Sequence, residues 1–232
     1  MKTIVLVIAS IVLLMAGTAN ANYTADVYLG GTYPTGILIT ENGAAATTSG
    51  GPIGPSYLGG NGGELFEYVY CLDLYKDVPV PADYPNTLVT NDGHIYGNLT
   101  PGSGTLVNNA AQIAWLLGTY GTTTDPNAQV ALQVAIWHEE YLGSADPVNL
   151  ASNAPSAQTA DYNAYLAALG SNSGIVGNFL WMTPTDGSGN QYQAEVGALP
   201  SAGGSETPIP GAAWLLGSGL FWLAAFRKRF MD

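Results

Sequence analysis

Cys71 and Gln133 are the two side chains whose type and setting admit unusual chemistry. Cys71 is the only cysteine in 232 residues, which excludes an internal disulfide and a multi-cysteine zinc site. It lies in Tyr70-Cys71-Leu72-Asp73, within a segment 65–75 whose alternation predicts the longest strand of the chain. One face of that strand carries Phe66, Tyr68, Tyr70, Leu72 and Leu74. The other carries Cys71 with the acids Glu67 and Asp73. Gln133 follows in Leu132-Gln133-Val134-Ala135-Ile136-Trp137. A lone cysteine in a secreted chain is buried and inert, paired between chains, or reactive. A glutamine on an apolar helix face is ordinarily a hydrogen-bonded core residue.

Other polar residues offer less. His138 has the right unperturbed pKa for a general base. It comes five residues after Gln133, however, about 140° away around a helix. Glu139 and Glu140 are expected on a solvated face, and His94, in Asp92-Gly93-His94, at the surface. With two histidines and one cysteine no metal site or cofactor is expected, and no Ser/His/Asp set, phosphate-binding loop or paired carboxylates stand out. Between residues 22 and 206 sixteen acids face the single Lys76, a net charge of −15. Such a body repels nucleic acid and anionic membrane surfaces. The composition, 47% hydrophobic and rich in glycine, suits a folded, turn-rich domain.

The elements that must position these residues are of two kinds. Strands are expected at 25–29 and 36–40, with turns at Asn42-Gly43 and Asn61-Gly62. Residues 76–104, with several prolines, read mainly as loop. The period then becomes helical. A helix is expected over 108–118 with an asparagine cap, and a second from Asp125 at the N-cap and Pro126 to about Leu142. Val130, Val134, Trp137 and Tyr141 form its apolar stripe, with Gln133 on the edge. A third helix is expected over 156–169, then strands at 177–182 and 191–196 and a linker at 197–207. The fold class is therefore α+β: a mainly antiparallel β-body with a helical insertion at about 108–169.

Both ends read as processing signals. Lys2, an apolar run 4–16 and Ala19-Asn20-Ala21 form a secretory signal helix at 1–21, with cleavage expected after Ala21. Residues 211–226 are uncharged and as a helix would cover about 24 Å, close to the roughly 30 Å of a bilayer core. Arg227, Lys228 and Arg229 would hold the cytoplasmic side of this transmembrane helix. Pro208-Ile209-Pro210, Trp214-Leu215, Gly217-Ser218-Gly219-Leu220 and the basic triplet resemble, in order and spacing, the PEP-CTERM family of sorting signals, in its Val-Pro-Leu-Pro-Ala-like variant. Thr207, Ile209 and Gly211 depart mildly from that pattern. For 208–232 the resemblance implies a biofilm-forming Gram-negative source. It also implies processing by an exosortase-type enzyme at the inner membrane, then residence at the cell surface or in the extracellular matrix.

The body, residues 22–196, carries a second resemblance. Tyr70-Cys71-Leu72-Asp73 resembles the aromatic-Cys-hydrophobic-acid motif of the thioester domains of bacterial surface adhesins, and Leu132-Gln133-Val134-Ala135-Ile136-Trp137 resembles their Thr-Gln-x-Ala-Ile-Trp motif. Gln112–Leu117 resembles the preceding helix. The likeness runs from about residue 65 to 140, with an echo near 178–193, and Leu132 stands where the family has threonine. It implies a bond from the Cys71 sulfur to the Gln133 side-chain carbonyl, formed with loss of ammonia. The acyl group then awaits an amine on a target, behind water-excluding neighbours such as Tyr70 and Trp137. His138 would be an accessory. This is single-use adhesion chemistry and not a turnover enzyme. The alternatives are a non-covalent matrix protein with an unreacted Cys71, or a carbohydrate-binding module or hydrolase.

Overall fold

The computed structural model describes residues 22–31, 33–96 and 104–199. The signal and sorting segments expected at the two ends lie outside the described residues. Among the described residues no helix is long and apolar enough to cross a membrane.

The strands are β1 (Tyr23–Leu29), β2 (Thr35–Glu41), β3 (Ala44–Ser49), β4 (Tyr57–Leu58), β5 (Glu64–Leu65), β6 (Tyr68–Cys71), β7 (Ala82–Thr90), β8 (His94–Ile95), β9 (Thr105–Leu106), β10 (Val148–Leu150), β11 (Leu180–Thr183) and β12 (Glu195–Ala198). The helices are α1 (Ala110–Tyr120), α2 (Pro126–Glu140) and α3 (Ser156–Leu169). Seven strands form one sheet in the order β5-β4-β1-β7-β11-β12-β6; β10-β2-β3 form a second and β8-β9 a small ribbon. The pairings are antiparallel. This is the expected β-rich α+β fold, and its three helices lie where the period changes.

Several expectations are corrected. The longest strand is β7, in the stretch read as loop, while the Cys71 segment keeps only four strand residues. Pro85 hid β7. It falls where Ala25 pairs with Thr87 and Val27 with Tyr84, so two residues of β7 oppose one of β1. A proline in such a bulge forfeits no ladder hydrogen bond. β10 interrupts the helical insertion and pairs with β2. β12 runs through Ala198, two residues into the expected linker. β3, Ala-Ala-Ala-Thr-Thr-Ser, carries too little hydrophobic signal to be read alone. Its hairpin to β2 still closes at Asn42-Gly43, whose φ values of 47° and 77° suit a primed turn.

Helix α2 is the centre of the packing. Asp125 Oδ1 accepts from the Asn127 and Ala128 N–H groups at 2.9 and 3.0 Å, as expected for the N-cap. Ala128, Val130 through Trp137, and Glu139 are all buried, so the helix is enclosed on every side and not along one stripe. It packs against α1, α3 and β10. The two asparagines before α1 serve a different end from the one expected. Asn109 is the cap residue but makes no side-chain cap bond. Asn108 and Asn109 instead donate to carbonyls at the C-terminus of α2, Asn108 to Glu139, Glu140 and Leu142, Asn109 to Glu139. These bonds satisfy the orphan acceptors of a buried helix end.

Candidate functional site

Strand β6 is the terminal strand of the seven-stranded sheet. Cys71 pairs with Glu195 of β12, and the Leu72 N–H donates to the Ala194 carbonyl at 2.8 Å. That bond makes Cys71 and Glu195 a non-hydrogen-bonded pair. Their side chains are therefore close neighbours on one face, and the N–H and C=O of Cys71 point outward from the sheet. Gln133 meets them there. Its Oε1 accepts from the Cys71 N–H at 3.1 Å, and its Nε2 donates to the Cys71 carbonyl at 2.8 Å. The amide thus docks on the sheet edge as another strand would.

A third bond comes from the segment between β3 and β4. The Gly51 N–H donates to the same Gln133 Oε1 at 2.8 Å. Two backbone donors therefore converge on one side-chain carbonyl oxygen. That is the arrangement that stabilises negative charge when such a carbonyl is attacked. The segment approaches closely because it lacks side chains. A Cβ on Gly50 would lie 2.6 Å from the Trp137 ring and 3.3 Å from Gln133 Cγ, and Gly51 has φ +119° beside Pro34. The sequence reading missed Gly50 and Gly51. A Gly-Gly pair after Ser49 resembles any turn until its partner is known.

Cys71 is 1% exposed and Gln133 0%, so the pair is sealed from bulk water. Burial, then the neighbouring Glu195, raises the Cys71 thiol well above its ordinary value. Glu195, also 0% exposed, is likewise raised, by burial first. The thiol and carboxyl interact, yet neither carboxyl oxygen has a hydrogen bond of ordinary geometry. The acids facing Cys71 are thus not the expected pair: Glu67 is exposed, and Glu195, 124 residues along the chain, is the close one.

The remaining candidates divide. Trp137 is fully buried over Gly50 and shields the pair. Tyr70 is equally buried, but strand alternation puts it on the opposite face from Cys71, with its hydroxyl 3.5 Å from the Gly121 carbonyl. His138 is held elsewhere: its Nδ1 lies 3.1 Å from the Val148 carbonyl, Asn149 Oδ1 and the Tyr162 hydroxyl, so it ties α2 to β10 and α3. Glu139 and Glu140 are not on a solvated face. Glu139 is buried and accepts from Asn109 through Oε2. Glu140 has an enclosed, unpartnered Oε2, and burial, with Asp73 beside it, pushes its carboxyl up to about 8. His94 is half-buried and 3.0 Å from Asp92.

A cleft of about 460 Å³ opens one helical turn from Gln133, lined by Tyr33, Pro34, Pro52, Gly54 and Gln129. Tyr33 feels both Cys71 and Glu195, after burial, in the upward shift of its hydroxyl. Among the described residues no group of three or more His, Cys, Asp or Glu could hold a metal ion. No known family, no curated protein and no solved structure matches the chain.

Proposed function

We propose that the protein is an exported surface or biofilm-matrix protein whose Cys71 and Gln133 form an internal thioester that captures amines on a target. The observation that carries this reading is the convergence of the Gly51 and Cys71 N–H groups on Gln133 Oε1. They polarise the carbonyl and would hold the oxyanion as sulfur attacks. The nitrogen leaves as ammonia. The resulting acyl group has a thiolate leaving group and less resonance stabilisation than an amide, so an amine displaces Cys71 to give a stable amide. Burial keeps water from competing. An amine would approach through the cleft beside Gln129, one helical turn from Gln133. The export signal at 1–21 and the exosortase-type sorting signal at Pro208, Pro210 and Arg227–Arg229 would deliver the domain to the surface or matrix, through the inner membrane.

A second reading is favoured by the burial that raises the thiol's pKa and holds it protonated. In it Cys71 stays a protonated core residue and the protein is a non-covalent matrix component. Intact mass of the purified protein beside Cys71→Ala separates the two. The thioester reading expects the wild type to be light by one ammonia, resistant to thiol labelling, and converted by methylamine to an adduct at Gln133. The mutant control is needed because Asn42-Gly43 and Asn61-Gly62 can also lose ammonia. Full mass with a free thiol would put the second reading first.

A further inference from the structure

We propose that Glu195 is the proton carrier of the Cys71–Gln133 reaction, moving a proton from the thiol to the departing nitrogen and, later, from the incoming amine to sulfur. The inference rests on the thioester reading. Its geometry is independent of the sequence motifs. Glu195 stands directly across from Cys71 in a non-hydrogen-bonded pair, which brings the two side chains together. It is fully enclosed, and its carboxyl faces the Cys71 thiol without a hydrogen bond of ordinary geometry. A buried carboxyl so poorly satisfied is costly, and packing gives no reason for it.

The surroundings fix its state. The groups facing Glu195 are Cys71 of β6, Asp73 just after that strand, Glu140 of α2, Tyr33 after β1 and Tyr84 of β7. None is a cation. Lys76, the one lysine or arginine among the described residues, lies 3.7 Å from Asp73 at the surface. Glu195 is therefore held as the neutral acid, able to give one proton and accept another. A thiol that resists ionisation needs such a partner. As the S–C bond forms, the carboxyl hydroxyl gives its proton to the amide nitrogen while its other oxygen takes the thiol proton in the same step. The C–N bond then breaks, and the nitrogen leaves as ammonia. The acid ends as it began. In the second step an amine attacks the thioester, its proton passes through the same carboxyl, and Cys71 departs as a thiol.

The test follows ammonia loss by intact mass after cell-free synthesis of the full chain, for wild type, Glu195→Gln and Glu195→Asp. General acid–base catalysis contributes on the order of 10²–10⁴-fold. Glu195→Gln is expected to slow ammonia loss by at least tenfold with an unchanged circular-dichroism spectrum, and Glu195→Asp to restore part of the rate. The rate with methylamine, taken per free amine, should bend with pH above the ordinary carboxylate range in wild type and in Glu140→Gln alike, a bend that neither Glu140 nor a packing role would produce. Equal rates in wild type and Glu195→Gln overturn the proposal and leave the thioester reading standing. A wild type that never loses ammonia overturns both. If Glu195→Gln does not fold, the Glu140→Gln profile decides: a bend retained there supports the proposal, and a profile without one overturns it.

Discussion

Cutting the proposed cross-link without mutating the chain should lower its stability by a predictable amount. The bond joins residues 62 apart, strand β6 to helix α2. In the chain-entropy account a link closing a loop of that length removes about 14 cal/mol/K from the unfolded ensemble, or roughly 4 kcal/mol at 25 °C. Native strain would reduce that figure, so it is an upper value. For a domain of this size each kcal/mol is worth about 2–4 °C in Tm, which puts the expected fall near 10 °C. Methylamine supplies the perturbation, because the adduct at Gln133 keeps every residue in place and frees only the sulfur. The assay is a melting curve on one preparation before and after treatment, with intact mass to show that conversion is complete. A fully converted sample melting at its original temperature would refute the loop-closure account of what the link contributes to stability.

Gly50→Ala should destabilise by about 1–3 kcal/mol and reduce the ammonia-deficient fraction, since its Cβ would meet Trp137 at 2.6 Å and crowd Gln133; denaturant melts and intact mass check both. His138→Ala should cost about 1–3 kcal/mol by freeing Asn149 and Tyr162, yet leave the mass deficit intact; a lost deficit with a preserved fold would give His138 a chemical role. Glu140 binds its proton more tightly folded than unfolded. Stability should therefore fall as pH rises from the ordinary carboxylate range toward about 8 and level off above it, and Glu140→Gln should flatten that slope in urea melts.

Much of the site's scaffold was legible because local chemistry and global packing agree there. Asp125-Pro126 starts α2, Asn42-Gly43 turns β2 into β3, and helix α3 occupies the expected 156–169. Cys71 and Gln133, singled out on motif alone, meet through two hydrogen bonds. What escaped depends on partners distant in sequence. β7 was hidden by a proline that only a bulge against β1 accommodates. Asn108 and Asn109 hold a helix end thirty residues away. Glu139 and Glu140 looked like a solvated pair because a helix enclosed on all sides has no polar face to reveal by period. Glu195 sits at the start of a short strand with no motif around it; only the strand order β12-β6 brings it to Cys71.

Glu195 also distinguishes a reactive pair from an inert one, because packing and chemistry predict opposite effects for one substitution. The three hydrogen bonds at Gln133 hold its carbonyl beside Cys71, where sulfur would attack. The buried Glu195 carboxyl against that thiol adds a separate test. If Cys71 is only a core thiol, Glu195→Leu removes an unsatisfied polar group and should stabilise the fold, by about 1–3 kcal/mol. If Glu195 carries the proton for cross-linking, the same substitution prevents the bond, and the roughly 4 kcal/mol of loop closure is lost against that gain. Repeating Glu195→Leu in a Cys71→Ala background removes the chemistry from the comparison, and there it should stabilise under either reading. The two effects should then differ by several kcal/mol, far beyond the additivity error of about 0.5 kcal/mol. Equal stabilisation in both backgrounds would remove Glu195 from the cross-linking step.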